Sequence, residues 1–241
     1  MSNVFALRAL LFASECFGAS ILLLGVAAIA TPFLKSASLR HLVWLTAFGT
    51  MLVLPAAALL VPPQVTIHQR VGAASVASAP AFAVSARPVL PTATAPSWNI
   101  GAKDVAMALF AFWLLGFGWS ALRLLIGVIG VNALQMSSKP IEDRPGFADL
   151  DGCDLRMADD QSGPMTWGVL QPVILVPSGA LEWPPERLRT VLLHELAHVR
   201  RLDSLAQTLS RIACALYWPN PLAWIGGRAM RREAEIAADD A

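Results

Sequence analysis

The sequence predicts a mainly α-helical, polytopic membrane protein with three to four transmembrane helices and a C-terminal, water-facing segment that contains a small β element. The chain of 241 residues is 56% hydrophobic and 15% charged. Its mean hydropathy of +0.56 is too high for an ordinary soluble domain. Glu15 is the only acidic residue before Asp104, so the charge is concentrated in the second half. Three apolar runs are also long enough for the helix of roughly 20 residues that crosses a bilayer.

The first two runs lie within residues 1–62, which we predict to form the first two transmembrane helices. One extends from about Leu10 to Leu34 and the other from about Leu39 to Val61. The letters "AAIA" near the end of the first run resemble a signal-peptide cleavage site. The length of this run, and the second run close behind it, favour an uncleaved helix.

The third run follows a long, nearly uncharged stretch. Residues 63–103 are rich in Pro, Ala, Ser and Val and have no helical period, which predicts an extra-membrane loop. Residues 104–134 then form the predicted third transmembrane helix and its extension, because the apolar sequence continues through Arg123.

The orientation of these helices is predicted from the basic residues. Lys35 and Arg40 flank the short connection between the first two runs, whereas the N-terminal tail contains only Arg8. Because cytoplasmic loops carry an excess of Lys and Arg, this connection and the segment after the third run are expected in the cytoplasm.

From residue 135 to residue 241 the chain becomes polar and rich in turns. The run "WGVLQPVILVP" predicts an edge strand, because Pro172 and Pro177 are poorly tolerated in a central one. A long helix is predicted to begin at the "PP" pair and to run to "IACAL", and a second helix follows "YWPNPLAW". The region near residues 205–225 is apolar enough for a fourth, partly inserted membrane helix.

The sequence H-E-x-x-H within the long predicted helix indicates a metal site. His194 and His198 are four residues apart and therefore share one helix face, where two imidazoles can bind one zinc ion. Glu195 lies beside the metal, where it can take a proton from the attacking water and act as the general base of a zinc peptidase. The alternative is a polar helix face with two structural histidines.

A catalytic zinc ion needs a third protein ligand and an open position. The last predicted helix offers four carboxylates, and two of them, Glu235 and Asp239, share a helix face; the full set is Glu233, Glu235, Asp239 and Asp240. One could bind the metal while another hydrogen-bonds a ligating histidine. Taken alone, such a cluster is more often a solvated helix face.

Other site types are disfavoured by composition. The net charge of +1 argues against direct nucleic-acid binding. The three cysteines are far apart in the sequence and form no C-x-x-C motif. Their spacing therefore predicts neither a disulfide framework nor a cysteine metal site.

Four stretches resemble the membrane-embedded zinc peptidases of the BlaR/MecR sensor-transducer family: "PMTWGVLQPVILVP", "HELAHVRRLD", "YWPNPLAW" and "REAEIAADDA". Members of this family also have a long loop between the second and third membrane helices. The resemblance implies a gluzincin-like zinc peptidase domain over residues 135–241, in the bacterial cytoplasmic membrane with the peptidase segment in the cytoplasm.

The resemblance also implies roles for individual residues. His194, His198 and Glu235 are the implied zinc ligands, with Glu195 as the general base. Asp239 matches the acidic residue that follows the third ligand in the pattern E-x-x-x-D, and Asp203 also fits the family pattern in a structural or ligand-supporting role.

The implied function is a membrane-anchored, zinc-dependent endopeptidase in signal transduction that controls gene expression. Its expected partners are the lipid bilayer and a protein substrate, either the chain itself or a transcriptional repressor. Two alternatives stay open: a membrane quality-control zinc peptidase, which shares H-E-x-x-H and E-x-x-x-D, and a non-catalytic transducer with a structural metal site. The residues do not indicate an oligomeric state.

One departure from the family concerns the signal. Members that detect β-lactams have a penicillin-binding sensor domain after a further span, and this sequence contains no S-x-x-K motif. We therefore expect either a piece of a longer protein or a member with another sensor or none.

Overall fold

The computed structural model describes residues 2–60, 101–141, 152–158 and 163–240. Its three longest helices are α1 (Ser2–Ala30), α2 (Ala37–Leu60) and α3 (Ala102–Ser137). All three are long and apolar enough to cross a membrane. The predicted polytopic, mainly helical membrane fold is therefore confirmed. Most of the predicted loop at 63–103 lies outside the described residues.

Helix α3 is longer than a membrane span. Its 36 residues correspond to about 54 Å, whereas the hydrocarbon core of a bilayer is about 30 Å thick. The C-terminal end of α3 reaches the β-sheet, where the indole Nε1 of Trp167 donates a hydrogen bond of 3.4 Å to Oε1 of Gln135. This end of the helix therefore lies beside the extra-membrane domain.

The predicted long helix after the "PP" pair is wrong, because the chain forms two helices there. Helix α4 (Pro185–Arg200) ends before Leu202, and α5 (Asp203–Leu216) begins after it. Leu202 has the left-handed backbone conformation, with φ of 57°. A residue in this conformation interrupts a right-handed helix. The sequence has no proline or glycine at this position that would have predicted the interruption.

Residues 205–225 do not form a membrane-crossing helix. They comprise most of α5, a tight turn, and the start of α6 (Pro221–Asp239). Helix α5 has 14 residues and is about 21 Å long, too short to cross a bilayer. In the described part of the chain, only α1, α2 and α3 qualify as membrane spans. Helices α5 and α6 instead form a hairpin that enters between the membrane helices and returns.

The turn of this hairpin is bonded to all three membrane helices at positions away from their ends. The hydroxyl of Tyr217 donates to the carbonyl of Met51 at 3.0 Å. The side-chain amide of Asn220 donates to the hydroxyl of Ser20 at 3.0 Å. Because non-helical backbone at membrane depth must be satisfied by protein, these contacts make the turn stable there.

Close packing by tryptophan fixes the hairpin against α3. The ring of Trp218 lies so near Gly116 that a Cβ atom at Gly116 would overlap Cε2 of the indole. The indole Nε1 of Trp218 also donates a hydrogen bond of 3.1 Å to the carbonyl of Trp113. Glycine at position 116 is therefore required for this contact.

The small sheet has the strand order β1-β2-β4-β3. The strands are β1 (Lys139–Pro140), β2 (Asp154–Ala158), β3 (Met165–Trp167) and β4 (Val173–Pro177). Strand β4 pairs in parallel with β2 and antiparallel with β3. The predicted edge position of this segment is therefore wrong.

The prolines around β4 do not interrupt it. Pro172 precedes the strand and Pro177 is its last residue, so the paired interior contains no proline. Every residue of β4 is buried, which is typical of a strand covered on both faces. One face packs on α4, where Ile174 and Val176 share a core with Leu192 and Leu196. The edge strand beside α4 is β3.

Candidate metal centre

Helix α4 presents two histidines to the same point. Leu192 and Leu196 face the sheet core, which turns the opposite face of the helix outward. His194 and His198 lie one turn apart on that other face, and their Nε2 atoms are 3.3 Å apart. The helical spacing seen in the sequence therefore brings the two imidazoles together.

Glu235 of α6 completes a triangle with these histidines. Its Oε2 atom is 3.8 Å from Nε2 of His194 and 3.7 Å from Nε2 of His198. Two His and one Glu form a set of potential metal-ligand atoms that all lie within 4.8 Å of one another. The third potential ligand comes from a different helix, so the set forms only when α4 and α6 keep a fixed position relative to each other.

The triangle fits a zinc ion. Tetrahedral zinc with ligand bonds of about 2.0–2.1 Å separates its ligand atoms by about 3.3 Å. The distance between the two histidine nitrogens matches this value, and the two distances to Glu235 are slightly longer. Imidazole nitrogen and carboxylate oxygen are also donors that zinc prefers, and three of them leave a fourth position open.

Each histidine also contacts a further carboxylate through its Nδ1 atom, on the side of the ring away from Glu235. Oδ2 of Asp203 is 2.8 Å from Nδ1 of His198, and Oδ1 of Asp239 is 3.0 Å from Nδ1 of His194. A carboxylate accepts hydrogen bonds, so both contacts favour the tautomer that has its hydrogen on Nδ1. The lone pair of each Nε2 is thereby directed toward Glu235, as a metal site requires.

The two supporting carboxylates have different environments. Asp203 has 2% of its side chain exposed, whereas Asp239 is 72% exposed. The hydrogen bond that Nδ1 of His198 donates to Asp203 raises the pKa of His198 above its ordinary value, against the lowering effect of burial. The contact at His198 is consequently protected from water, and the contact at His194 is open to it.

Glu195 lies next to the triangle but is not one of its corners. The residue is 7% exposed, and the hydroxyl of Thr166 donates a hydrogen bond of 2.6 Å to its Oε2 atom. Thr166 belongs to β3, so the edge of the sheet holds this carboxylate. The sequence offered no signal for Thr166, because a single threonine in a strand has no diagnostic spacing.

The other two candidate carboxylates are directed elsewhere. Glu233 is buried and its Oε2 atom accepts a hydrogen bond of 2.7 Å from Nε of Arg40 in α2. Asp240 follows the end of α6 and its side chain is exposed. Arg40 and its neighbour His41 were not predicted as part of the site, since they lie about 150 residues or more before it, and distance along the chain hides such contacts.

A cleft of about 200 Å³ opens over the triangle. Its walls come from β3, α4, α5 and α6 and include Thr166, Glu195, Gln207 and Glu235. Pockets that enclose a drug-sized molecule are larger, about 300–1,000 Å³. The cleft can therefore admit a short part of an extended chain but cannot enclose a bulky ligand.

The chain is similar in sequence to a known protein and to a protein family. It is 26% identical over 147 residues to "Regulatory protein BlaR1" of Bacillus licheniformis, a match that covers 57% of this chain. The match covers 24% of the relative, so this chain spans about a quarter of the relative's length. The family model described as BlaR1 peptidase M56 matches residues 14–241, which include part of α1, all of α2 and α3, and the candidate metal centre. The resemblance seen in the sequence motifs is thus confirmed, and this chain belongs to the BlaR1 peptidase M56 family, a family of proteases.

Proposed function

We propose that this protein is a membrane-anchored, zinc-dependent endopeptidase that cleaves a protein at the cytoplasmic membrane face during signal transduction. Membership in a peptidase family supports the protease activity. One observation carries the metal-dependent part: two imidazole nitrogens and one carboxylate oxygen converge within 4.8 Å, with Glu195 beside them. A closed structural zinc site has four protein ligands and does not need a buried base at its edge.

In this proposal His194, His198 and Glu235 hold the zinc ion. When bound, zinc would supply Lewis acidity that polarises the scissile carbonyl and makes the attacking water more acidic. Asp203 and Asp239 keep the two imidazoles in the ligating tautomer through their contacts at Nδ1.

Glu195 acts as the general base. Its carboxylate accepts a proton from the attacking water and passes it to the nitrogen of the leaving amine as the C–N bond breaks. The hydrogen bond from Thr166 occupies Oε2 and orients the carboxylate, which leaves Oε1 to exchange the proton. The water oxygen is added to the carbonyl carbon, so the products are a carboxylate and an amine.

The substrate is proposed to bind as an extended strand along β3. In the described part of the chain β3 pairs only with β4, so its other side offers backbone donors and acceptors. Pro164, Met165 and Thr166 line the cleft together with His194 and Glu195. A substrate strand added at this edge would bring one peptide bond to the metal centre.

The position of the centre relative to the membrane supports a cytoplasmic site. Arg40, at the start of α2, is bonded to Glu233 in α6, two residues before Glu235. The connection that contains Lys35 therefore lies on the same side of the membrane helices as the metal centre. Basic connections are enriched in the cytoplasm, which favours that side for the peptidase domain.

The proposed role in signalling is supported by the relative, which is named a regulatory protein. A transcriptional repressor, or the chain itself, is the substrate we propose. The chemistry of an edge strand recognises backbone rather than particular side chains, so the edge restricts the substrate to an extended, accessible segment.

The test compares Glu195→Gln with Glu235→Gln in the full chain reconstituted into lipid nanodiscs. Cleavage of a co-expressed candidate repressor and of the chain itself is measured together with the zinc content. Glu195→Gln should retain zinc and lose activity by about 10²–10⁴-fold, because it cannot take the proton. Glu235→Gln should lose zinc as well as activity, because a ligand is weakened.

Three outcomes would contradict the proposal. Cleavage by Glu195→Gln at the wild-type rate would refute the mechanism. Zinc bound by the wild type without cleavage of any supplied protein would favour a non-catalytic transducer. Cleavage only of misfolded membrane proteins, with the repressor untouched, would favour a quality-control peptidase.

A further inference from the structure

Two adjacent residues at the start of α2 contact the two helices that flank the metal centre. The first is Arg40. Its Nε donates to Oε2 of Glu233 at 2.7 Å, and its Nη1 donates to the carbonyls of Leu34 and Lys35 at 2.9 and 3.2 Å. The Glu233 side chain is only 7% exposed. This ion pair attaches the α1–α2 turn to α6, two residues before Glu235.

The second residue is His41, which is buried. Its Nε2 atom is 3.6 Å from Oδ1 of Asp203, and Nη2 of Arg201 is 3.6 Å from the same oxygen. Within the described part of the chain, these three buried atoms have no hydrogen-bond partner. The other oxygen of Asp203 holds His198. His41 therefore contacts Asp203, the carboxylate that orients the proposed ligand His198.

Arg201 connects the two contacts. Its Nη1 donates to the carbonyl of Ala234 at 3.1 Å, and this residue lies between Glu233 and Glu235. The junction of α4 with α5 is thereby attached to α6, and both are attached to the first turn of α2. The positions of His198 and Glu235 relative to each other depend on these buried contacts.

We propose that Arg40 and His41 are positioning residues that set the geometry of the metal ligands from the membrane helix α2. The proposal rests on the proposed function in one respect, namely that the triangle binds a metal. Loss of Arg40 would leave the buried carboxylate of Glu233 with only the exposed Arg232, 3.8 Å away, and loss of His41 would leave Oδ1 of Asp203 with only Arg201 as its cationic neighbour. A buried charge that loses its partner is strongly unfavourable, so the carboxylate would move toward water and take its helix with it.

The same arrangement gives α2 a way to influence the centre. A displacement of the first turn of α2 acts on α6 through Glu233 and on His198 through Asp203. Because the two contacts come from adjacent residues, one small rotation of this turn changes both. The centre is consequently sensitive to the position of the α1–α2 hairpin in the membrane.

The experiment measures binding of Co²⁺ to the metal-free full chain in lipid nanodiscs. Visible absorption of bound Co²⁺ reports both the affinity and the arrangement of the ligands, without any substrate. The variants are Arg40→Gln and His41→Asn. The control is Lys35→Gln, which removes an exposed positive charge from the same connection but none of these side-chain contacts.

We expect both variants to bind Co²⁺ at least tenfold more weakly, the lower end of the range for partners of metal ligands, with altered absorption bands. Lys35→Gln should match the wild type. The double variant Arg40→Gln with Glu233→Gln should bind more tightly than Arg40→Gln alone, because it leaves no unpaired buried carboxylate.

The proposal would be overturned if the variants were less stable to unfolding yet bound Co²⁺ with the wild-type affinity and spectrum. That result would mean that the contacts of Arg40 and His41 stabilise the fold but do not position the metal ligands. If Arg40→Gln does not fold, Arg40→Met keeps the unbranched side chain without the charge, and wild-type affinity and spectrum in that variant would equally overturn the proposal. A wild-type protein that binds no Co²⁺ would refute the metal centre itself, and this outcome is separate from equal binding by wild type and variants.

Discussion

The carboxylate of Asp203 lies 2.8 Å from Nδ1 of His198, although the two residues are five positions apart. On a continuous α-helix, five positions correspond to a rotation of about 140° from the starting face, so the side chains would not meet. The break at Leu202 turns the chain and brings Asp203 back to the histidine. The left-handed conformation of Leu202 therefore allows Asp203 to contact His198 of the candidate metal centre.

We predict that the two carboxylates behind the histidines determine the zinc affinity. Asp203→Asn and Asp239→Asn should each weaken zinc binding by about 10–100-fold, since each removes the charged acceptor at an Nδ1 atom. Asp240→Asn is the matched control, because Asp240 is adjacent to Asp239 and exposed. Competition with a chelator measures the affinities. Equal affinities for all three variants would mean that the Nδ1 contacts do not support the ligands.

We predict that Thr166 affects the rate of cleavage and leaves the metal in place. Thr166→Val keeps the shape but removes the hydrogen bond of 2.6 Å to Glu195, so kcat should fall about tenfold, the effect of losing one hydrogen bond to a charged group. The zinc content and KM should change little. Thr190→Val, on the exposed surface of α4, is the control. A rise in KM with kcat unchanged would instead assign Thr166 to substrate binding.

We predict that Gly116 and Gly118 respond differently to the same substitution. In Gly116→Ala the new methyl group would overlap the indole of Trp218, which should destabilise the fold by about 1–3 kcal/mol. A Cβ atom at Gly118 meets nothing within 4 Å, so Gly118→Ala should be neutral or stabilising. Unfolding in mixed micelles measures both. A stable Gly116→Ala variant would show that the α5–α6 hairpin is not fixed against α3.

We predict that the start of α3 and the start of α4 lie on opposite sides of the membrane. Cysteines are introduced at two exposed positions, as Lys103→Cys and Glu186→Cys. The three native cysteines are buried and provide a low background. In intact cells an impermeant thiol reagent should label position 103 and should reach position 186 only after the cells are opened. Labelling of position 186 from outside would reverse the proposed orientation.

Several features of the fold and the site were predictable because they depend on local pattern. The three membrane helices follow from the length of the apolar runs, since a bilayer imposes a minimum helix length. The meeting of His194 and His198 follows from their spacing on one helix, which fixes their separation wherever that helix lies. The family could also be predicted from the sequence, because each of its motifs is a short, contiguous stretch of residues.

Other features depended on contacts between distant segments. The position of β4 inside the sheet was mispredicted, because flanking prolines resemble interrupting ones until the pairing partners are known. The break at Leu202 had no signal either, since no glycine or proline marks it. The fourth apolar region became an α5–α6 hairpin because its turn finds hydrogen-bond partners in α1, α2 and α3.

The sequence by itself determined the three apolar spans and the H-E-x-x-H helix, whereas the tertiary structure decided which carboxylate faces the two histidines. Glu233 and Glu235 are alike in chemistry and lie on the same helix. Arg40 of α2 pairs with Glu233 from 193 residues away, and of these two glutamates it is Glu235 that approaches Nε2 of both histidines. A local pattern specifies the periodicity of a helix, but the rotation of that helix about its axis is set by the buried partners it meets after folding.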